Sequence, residues 1–133
     1  MITQTKKYLP LKIKEASWNK AAFHMGSDDW GFYTLGGWRI VTDKKVVFGC
    51  FDDIADEISK YLIDIEIVRI DIQESILKID PVFVLSNGEK IEIFSTDTYE
   101  AWSFRLDEKT LYDATPHDPE IFIASLSKLE DSF

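Results

Sequence analysis

The stretch DPVFVLSNGEKIEIFSTDTYEAWSFRL, residues 80–106, decides the fold class of this chain. Asn87-Gly88 separates two apolar-rich runs with the composition of β-strands, and a third such run ends the stretch. Because Asn-Gly favours the two-residue turn of a β-hairpin, it predicts which residues of the two strands face each other. In that register four apolar side chains share one face: Val82, Val84, Ile91 and Ile93. The stretch therefore predicts an antiparallel sheet with a face that must be covered.

The preceding sequence adds a second hairpin and a helix. WGFYTLGGWRIV, residues 30–41, predicts a strand with a bulge or bend at Gly36-Gly37. A polar turn at 43–45 leads into a further strand, so residues 38–50 form the second hairpin. Residues 52–62 then change to helical periodicity, which predicts a short helix with Asp52 or Asp53 as its N-cap.

Three further segments complete the predicted architecture. Residues 9–25 favour a strand that enters an irregular or helical segment. Alternating isoleucines in 63–72 change parity near Ile67-Val68, which predicts a bulge or break there. Asp118-Pro119 supplies an N-cap and a first-turn proline, so a C-terminal helix is expected from there.

Together these segments predict an α+β fold: a twisted antiparallel sheet of about six or seven strands, one short internal helix and a C-terminal helix. Residues 1–133 are expected to form a single domain, with residues 1–7 as a frayed tail.

Composition limits the classes of partner. The net charge of -9 argues against nucleic acid or an anionic membrane as the main partner, and residues 1–51 carry +4 whereas 52–133 carry -13. A single cysteine, Cys50, excludes an internal disulfide framework and fits a reducing compartment; its apolar neighbours predict a buried, unreactive thiol. The sequence shows no signal-peptide core and no apolar run of membrane-spanning length, so a cytoplasmic location is expected.

Motifs for catalysis, metals and cofactors are not found. The two histidines, His24 and His117, and one cysteine do not form a zinc pattern, and neither a cofactor nor an enzymatic activity is expected. Glu92 and Glu100 could form a carboxylate pair on neighbouring strands, although solvent-facing positions explain them more simply. Arg39 lies within an apolar strand, which predicts an ion pair with Asp52 or Glu100.

Two groups of residues are candidates for binding. The first is the densest acidic cluster of the chain: Asp52, Asp53, Asp56 and Glu57. These carboxylates could contact a basic protein, hold a hard cation, or serve only as helix caps and solvated surface. The second is a set of aromatic residues that could line a small-molecule or carbohydrate site: Trp30, Tyr33 and Tyr99. For Trp30, as for Trp38 and Trp102, packing in the core is the simpler interpretation.

Motifs within residues 35–106 resemble a family of small bacterial α+β proteins that are grouped with the immunity proteins of polymorphic toxin systems. The resemblance depends on an ordered series of short motifs: Trp38-Arg39-Ile40, Gly49 with Asp52-Asp53, Phe83-x-Leu85-Ser86-x-Gly88, Ile91-x-Ile93 and Glu100-x-Trp102. It implies a non-enzymatic cytosolic protein that neutralises a partner, and it carries no catalytic residues.

The leading functional hypothesis is therefore a non-catalytic cytosolic protein that binds another protein, in its narrow form an immunity-type inhibitor of a basic toxin. The alternative is a small-molecule or carbohydrate-binding domain.

Overall fold

The computed structural model describes residues 6–74, 80–95, 102–106 and 111–113. Within these ranges the chain forms short β-strands, one single-turn α-helix and two 3₁₀ turns. The strands are β1 (Leu11–Lys12), β2 (Glu15–Trp18), β3 (Phe23–Gly26), β4 (Gly31–Thr34), β5 (Gly37–Val41), β6 (Val46–Gly49), β7 (Glu66–Ile72), β8 (Pro81–Leu85), β9 (Lys90–Phe94), β10 (Trp102–Arg105) and β11 (Leu111–Asp113). The helical segments are the 3₁₀ turns Lys6–Tyr8 and Ala55–Glu57 and the helix α1 (Ile58–Tyr61).

The strands form two antiparallel sheets. Sheet I has six strands in the order β1-β7-β8-β9-β5-β6, and sheet II has five in the order β11-β10-β4-β3-β2. The prediction of one sheet of six or seven strands was therefore wrong, although its antiparallel character is confirmed. The bulge or bend predicted at Gly36-Gly37 within one strand is instead a change of sheet, because Leu35 and Gly36 carry the chain from β4 in sheet II to β5, which begins at Gly37, in sheet I.

One apolar core lies between the inner faces of the two sheets. Ring contacts cross from one sheet to the other: the centroids of Phe32 and Phe83 are 4.9 Å apart, and those of Phe23 and Trp38 are 5.2 Å apart. Trp102 is fully buried among them, as the sequence predicted. Large aromatic rings thus fill the space that two facing sheets leave between them.

The central hairpin exists, but the predicted register is wrong by one residue. Phe83 faces Ile91, and the N–H of Leu85 donates to Glu89 O at 2.9 Å, so the loop has three residues instead of two. Gly88 takes the positive φ of +88°, which closes a three-residue loop. Because side chains alternate along a strand, this slip reverses both faces of β8. The buried residues are Phe83, Leu85, Ile91 and Ile93, whereas Val82 and Val84 face outward.

The remaining elements confirm some predictions and correct others. The parity change in β7 is a β-bulge, because the pairing with β8 shifts between Ile67 and Arg69. Residues 9–25 contain strands and no helix. The predicted helix over 52–62 is reduced to the 3₁₀ turn and α1, and neither begins with a side-chain cap. The predicted C-terminal helix lies outside the described residues, as do residues 1–5 of the predicted tail.

Candidate functional site

The segment that leaves β6, residues 49–57, forms a tightly held loop, here called the Phe51 loop. The N–H of Asp52 donates to Gly49 O at 3.1 Å, and the carboxylate Oδ2 of Asp52 accepts the N–H of Gly49 at 2.8 Å. The N–H of Ala55 then donates to Asp52 O at 3.0 Å. Asp52 therefore holds a turn by both its backbone and its side chain, instead of capping a helix or pairing with Arg39.

Phe51 lies at the top of this turn and is almost completely exposed to solvent. Its relative exposure is 98%, while Leu35 and Ile54 are 61% and 55% exposed. Leu35 and Phe51 line the same cleft, and Ile54 follows in the same loop. Isolated exposed apolar side chains are common, but a fully exposed aromatic ring beside other exposed apolar residues is typical of a binding surface.

Three acidic side chains accompany these apolar residues. Asp53, Asp56 and Glu57 are exposed, and within the described part of the chain their carboxylates form no ion pair or hydrogen bond. Together with the apolar residues they make up what we call the Phe51 surface: Leu35, Phe51, Asp53, Ile54, Asp56 and Glu57. Asp53 and Asp56 line the same cleft as Phe51, and Glu57 follows in the same loop; the sequence analysis did not select Phe51.

Depressions lie on both sides of Phe51. The acidic cleft, with a volume of about 710 Å³, runs between Trp18, Leu35, Phe51, Asp53 and Asp56, and Lys20 also lies on its wall. The apolar groove, with a volume of about 390 Å³, lies over β5 and β6 between Phe51 and Phe94. Phe51 therefore separates a negatively charged hollow from an apolar one.

A further depression, about 910 Å³, covers the outer face of sheet I, but its charged side chains mostly pair with one another. Arg39 Nε lies 2.6 Å from Glu92 Oε1, and Lys90 Nζ lies 3.3 Å from Asp43 Oδ1. The partner of Arg39 is thus Glu92, not Asp52, because Glu92 lies directly opposite it on β9. This pairing also occupies Glu92, which was considered for a carboxylate pair; Glu100 lies outside the described residues.

Two of the three aromatic residues considered for a ligand site are described, Trp30 and Tyr33, and they lie on opposite faces of sheet II. Trp30 is 2% exposed, its Nε1 donates to Lys12 O at 3.0 Å, and its ring contacts Phe104 in the core. Tyr33 is 43% exposed on the opposite face of sheet II. Tyr99 lies outside the described residues. The burial of Trp30 leaves its ring no face on which a ligand could stack, so its role is core packing.

Cys50 is only partly buried, so the prediction of full burial was too strong. Cys50 lines both the acidic cleft and the apolar groove.

Tyr61 of α1 connects the helix to the central hairpin. Its hydroxyl donates to Glu89 Oε1, which also accepts the amide of Asn87 at 2.9 Å. Desolvation raises the pKa of Tyr61 to about 12, and the hydrogen bond to Glu89 and its negative charge act in the same direction. The folded state therefore favours the neutral phenol.

We expect this contact to stabilise the protein fully below pH 10, where tyrosine is also neutral in the unfolded chain, and to lose its effect as the pH rises from 10 through 12. Tyr61→Phe should cost about 0.5 kcal/mol at pH 9, because water screens this partly exposed pair, and less at high pH. Urea unfolding at both pH values and absorbance titration of tyrosine measure this. Tyr33→Phe is the matched control, and ionisation of Tyr61 near pH 10 would contradict the assignment.

Within the described ranges no group of three or more His, Cys, Asp or Glu side chains is arranged to hold a metal ion. In the same ranges no helix is both long and apolar enough to cross a bilayer. Comparison with protein-family models, curated proteins and solved structures finds no match to this chain.

Proposed function

We propose that this chain is a non-catalytic, cytoplasmic protein that binds a basic protein partner through the Phe51 surface. The observation that carries the proposal is the 98% exposure of Phe51 on a turn that Asp52 holds by two hydrogen bonds.

The turn makes Phe51 suited to binding because its position is set before a partner arrives. A large aromatic ring gains free energy when a partner removes it from water, and such rings dominate the energetics of protein interfaces. The hydrogen bonds of Asp52 fix the backbone of the loop, so little additional loop entropy is lost on binding. Leu35 and Ile54 would then extend the apolar contact around Phe51.

The charges around Phe51 select the class of partner. Asp53, Asp56 and Glu57 carry negative charge that no described cation neutralises, and the chain as a whole has a net charge of -9. A basic protein surface would be attracted to this face, whereas a second copy of the chain would be repelled by it. The charges therefore favour a basic partner over self-association.

The resemblance to immunity proteins gives the proposal a narrower form, in which the partner is a basic toxin and binding neutralises it. That form predicts that co-expression of the chain restores growth of cells that express a toxin encoded beside it. The broader form, binding of a basic partner, stands without it.

The surface is tested with immobilised wild-type chain, Phe51→Ser and the double variant Asp56→Asn/Glu57→Gln. Proteins captured from a lysate of the source organism are identified, and the association of a purified candidate is then followed kinetically. We expect Phe51→Ser to weaken binding about 30-fold, the scale of an interface hot spot. The double variant should mainly slow association, and the wild-type rate should fall with salt, because screening acts over about 10 Å at 0.1 M ionic strength.

Controls separate binding from folding and from total charge. Phe51→Ser should change the free energy of unfolding by less than about 0.5 kcal/mol, because the ring is exposed. Asp28→Asn/Asp29→Asn removes two exposed charges from the β3–β4 loop and should leave association nearly unchanged. If a verified partner binds Phe51→Ser as tightly as wild type, the Phe51 surface is not the binding site.

A further inference from the structure

The apolar groove has a glycine floor. Gly37 of β5 and Gly49 of β6 contribute no side chain to it, so the backbone is open between Phe51 on one side and Phe94 on the other. Gly37 pairs with Phe94, and Gly49 pairs with Arg39, which places both glycines beside the walls of the groove. The result is a slot on the outer face of sheet I at its β6 edge.

An aromatic side chain forms each of the two walls of the groove. Phe51 forms one wall, and Phe94 forms the other with the Arg39 guanidinium 4.8 Å above its ring centroid. Arg39 Nε also donates a hydrogen bond to Glu92 Oε1 at 2.6 Å, which holds the guanidinium in place. A planar ring that enters the slot could pack against the ring of Phe51 and contact the edge of the Arg39 guanidinium. Ring–ring and cation–π contacts of this kind add stability beyond the burial of apolar area.

We propose that the apolar groove receives one aromatic side chain of the basic partner. The proposal rests on the proposed function, since it names what the partner places beside Phe51. The partner's cationic residues then lie on the other side of Phe51, against Asp53 and Asp56 in the acidic cleft. The recognised feature is thus an aromatic residue close to basic ones.

A second copy of this chain is a poorer occupant. Among the described residues the most exposed aromatic ring is Phe51, and its insertion would bring two Phe51 loops together with Asp52, Asp53 and Asp56 on each. Like charges held in one interface oppose association. Charge complementarity therefore assigns the groove to a basic partner.

The groove can be blocked without rebuilding the sheet. A Cβ at Gly37 would meet only Cys50 Sγ and Phe94 Cβ, both at 3.9 Å, which is ordinary van der Waals contact. Gly37→Val therefore fills the floor, and valine is well suited to a strand. Gly49 is unsuitable for this purpose, because its Cβ would lie 3.3 Å from Trp38 O and from Arg39 Cβ. Phe51→Leu is the second test variant beside Gly37→Val, because it keeps an apolar side chain in the wall of the groove but removes the aromatic ring.

The test uses N-acetyl-tryptophanamide as probe and N-acetyl-leucinamide as the matched aliphatic compound. The single thiol, Cys50, is the reporter, because it lines the groove. We expect millimolar N-acetyl-tryptophanamide to slow the reaction of Cys50 with a thiol reagent, by about twofold at half-saturation. Amide resonances of Gly37 and Gly49 should shift in the same titration. Gly37→Val and Phe51→Leu should each reduce both effects, and N-acetyl-leucinamide should produce neither.

Equal protection by the two amides would overturn the assignment to an aromatic side chain. Urea unfolding shows whether Gly37→Val is folded. If the probe still protects Cys50 in the folded variant, the probe binds elsewhere and the apolar groove is not its site. If the probe does not protect Cys50 but a partner still binds in a way that depends on Phe51, only the proposal for the groove is refuted. Loss of Phe51 dependence in partner binding removes the proposed function itself.

Discussion

Gly36→Ala should destabilise the protein by about 3 kcal/mol, at the upper end of the cost of overpacking. A Cβ at Gly36 would overlap the carbonyl oxygen of Phe94, closer than real Cβ atoms approach backbone. That carbonyl cannot move away cheaply, because Phe94 ends β9 in its pairing with Gly37 of β5. The N–H of Gly36 is also held by Thr34 Oγ1 at 3.0 Å. The substitution therefore strains the connection between the two sheets.

Gly37→Ala is the matched control one residue along the chain. Its Cβ meets nothing closer than 3.9 Å, and its backbone does not require positive φ. We expect the free energy of unfolding, measured by urea with tryptophan fluorescence, to change by less than about 0.5 kcal/mol in this variant. A similar loss in both variants would show that steric overlap at Gly36 is not the cause.

Asp80→Ala should cost about 3 kcal/mol, the scale of removing several hydrogen bonds from one charged acceptor. The carboxylate of Asp80 accepts from Ser95 N at 2.9 Å, from Ser95 Oγ at 2.6 Å and from Trp102 Nε1 at 3.2 Å. Trp102 is fully buried, so Asp80→Ala removes a hydrogen-bond acceptor from an indole N–H that lies in the core. Because Trp102 belongs to sheet II and Asp80 directly precedes β8, the loss affects the joining of the two sheets.

Two variants calibrate the measurement at Asp80. Asp80→Asn keeps one oxygen acceptor and the side-chain volume, so urea unfolding should show a smaller loss than Asp80→Ala. Asp71→Ala removes a carboxylate whose ion pair with Arg69, 3.0 Å long, is exposed, and it should cost less than about 1 kcal/mol. Equal effects of Asp80→Ala and Asp71→Ala would mean that the hydrogen bonds of Asp80 contribute nothing specific.

The sequence was sufficient to locate the central hairpin but not its register. Asn87-Gly88 correctly marked the turn, since both two-residue and three-residue loops accept this dipeptide. The difference depends on a single backbone angle: within this loop only Gly88 has positive φ, and the loop begins at Ser86 instead of Asn87. Both faces of β8 carry apolar residues, so the hydrophobic pattern could not choose between the two registers. In β7, by contrast, only one face is strongly apolar on each side of the bulge, and the parity change located it correctly.

The number of sheets could not be predicted for a different reason. Gly36-Gly37 fits a bulge within one sheet as well as a connection between two, because glycine permits either path. The choice is made by contacts distant in sequence, such as the packing of Phe32 on Phe83 across the core. A local pattern carries no information about such contacts.

The candidate site was predicted in part, through its charge. Asp53, Asp56 and Glu57 were selected as an acidic cluster, and the structure leaves them exposed. Phe51 was missed because it ends an apolar run that reads as a buried strand. The available signal was its position, an aromatic residue that lies beyond the strand end and directly before two aspartates. Apolar residues at such junctions project from a turn and no longer alternate with the strand.

The hydrogen bond between Gly49 and Asp52 also affects whether a further strand can add to the β6 edge of sheet I. β6 is an outer strand of sheet I, and the N–H of Cys50 donates inward to Trp38 O at 3.1 Å. The N–H of Gly49 therefore points away from the sheet, toward the position that an added strand would occupy. Asp52 fills that position with a carboxylate, which occupies the donor and repels incoming carbonyl oxygens. A residue selected from the sequence as a partner contact thus acts as a gatekeeper against strand addition at the β6 edge of the described sheet, directly beside the exposed Phe51.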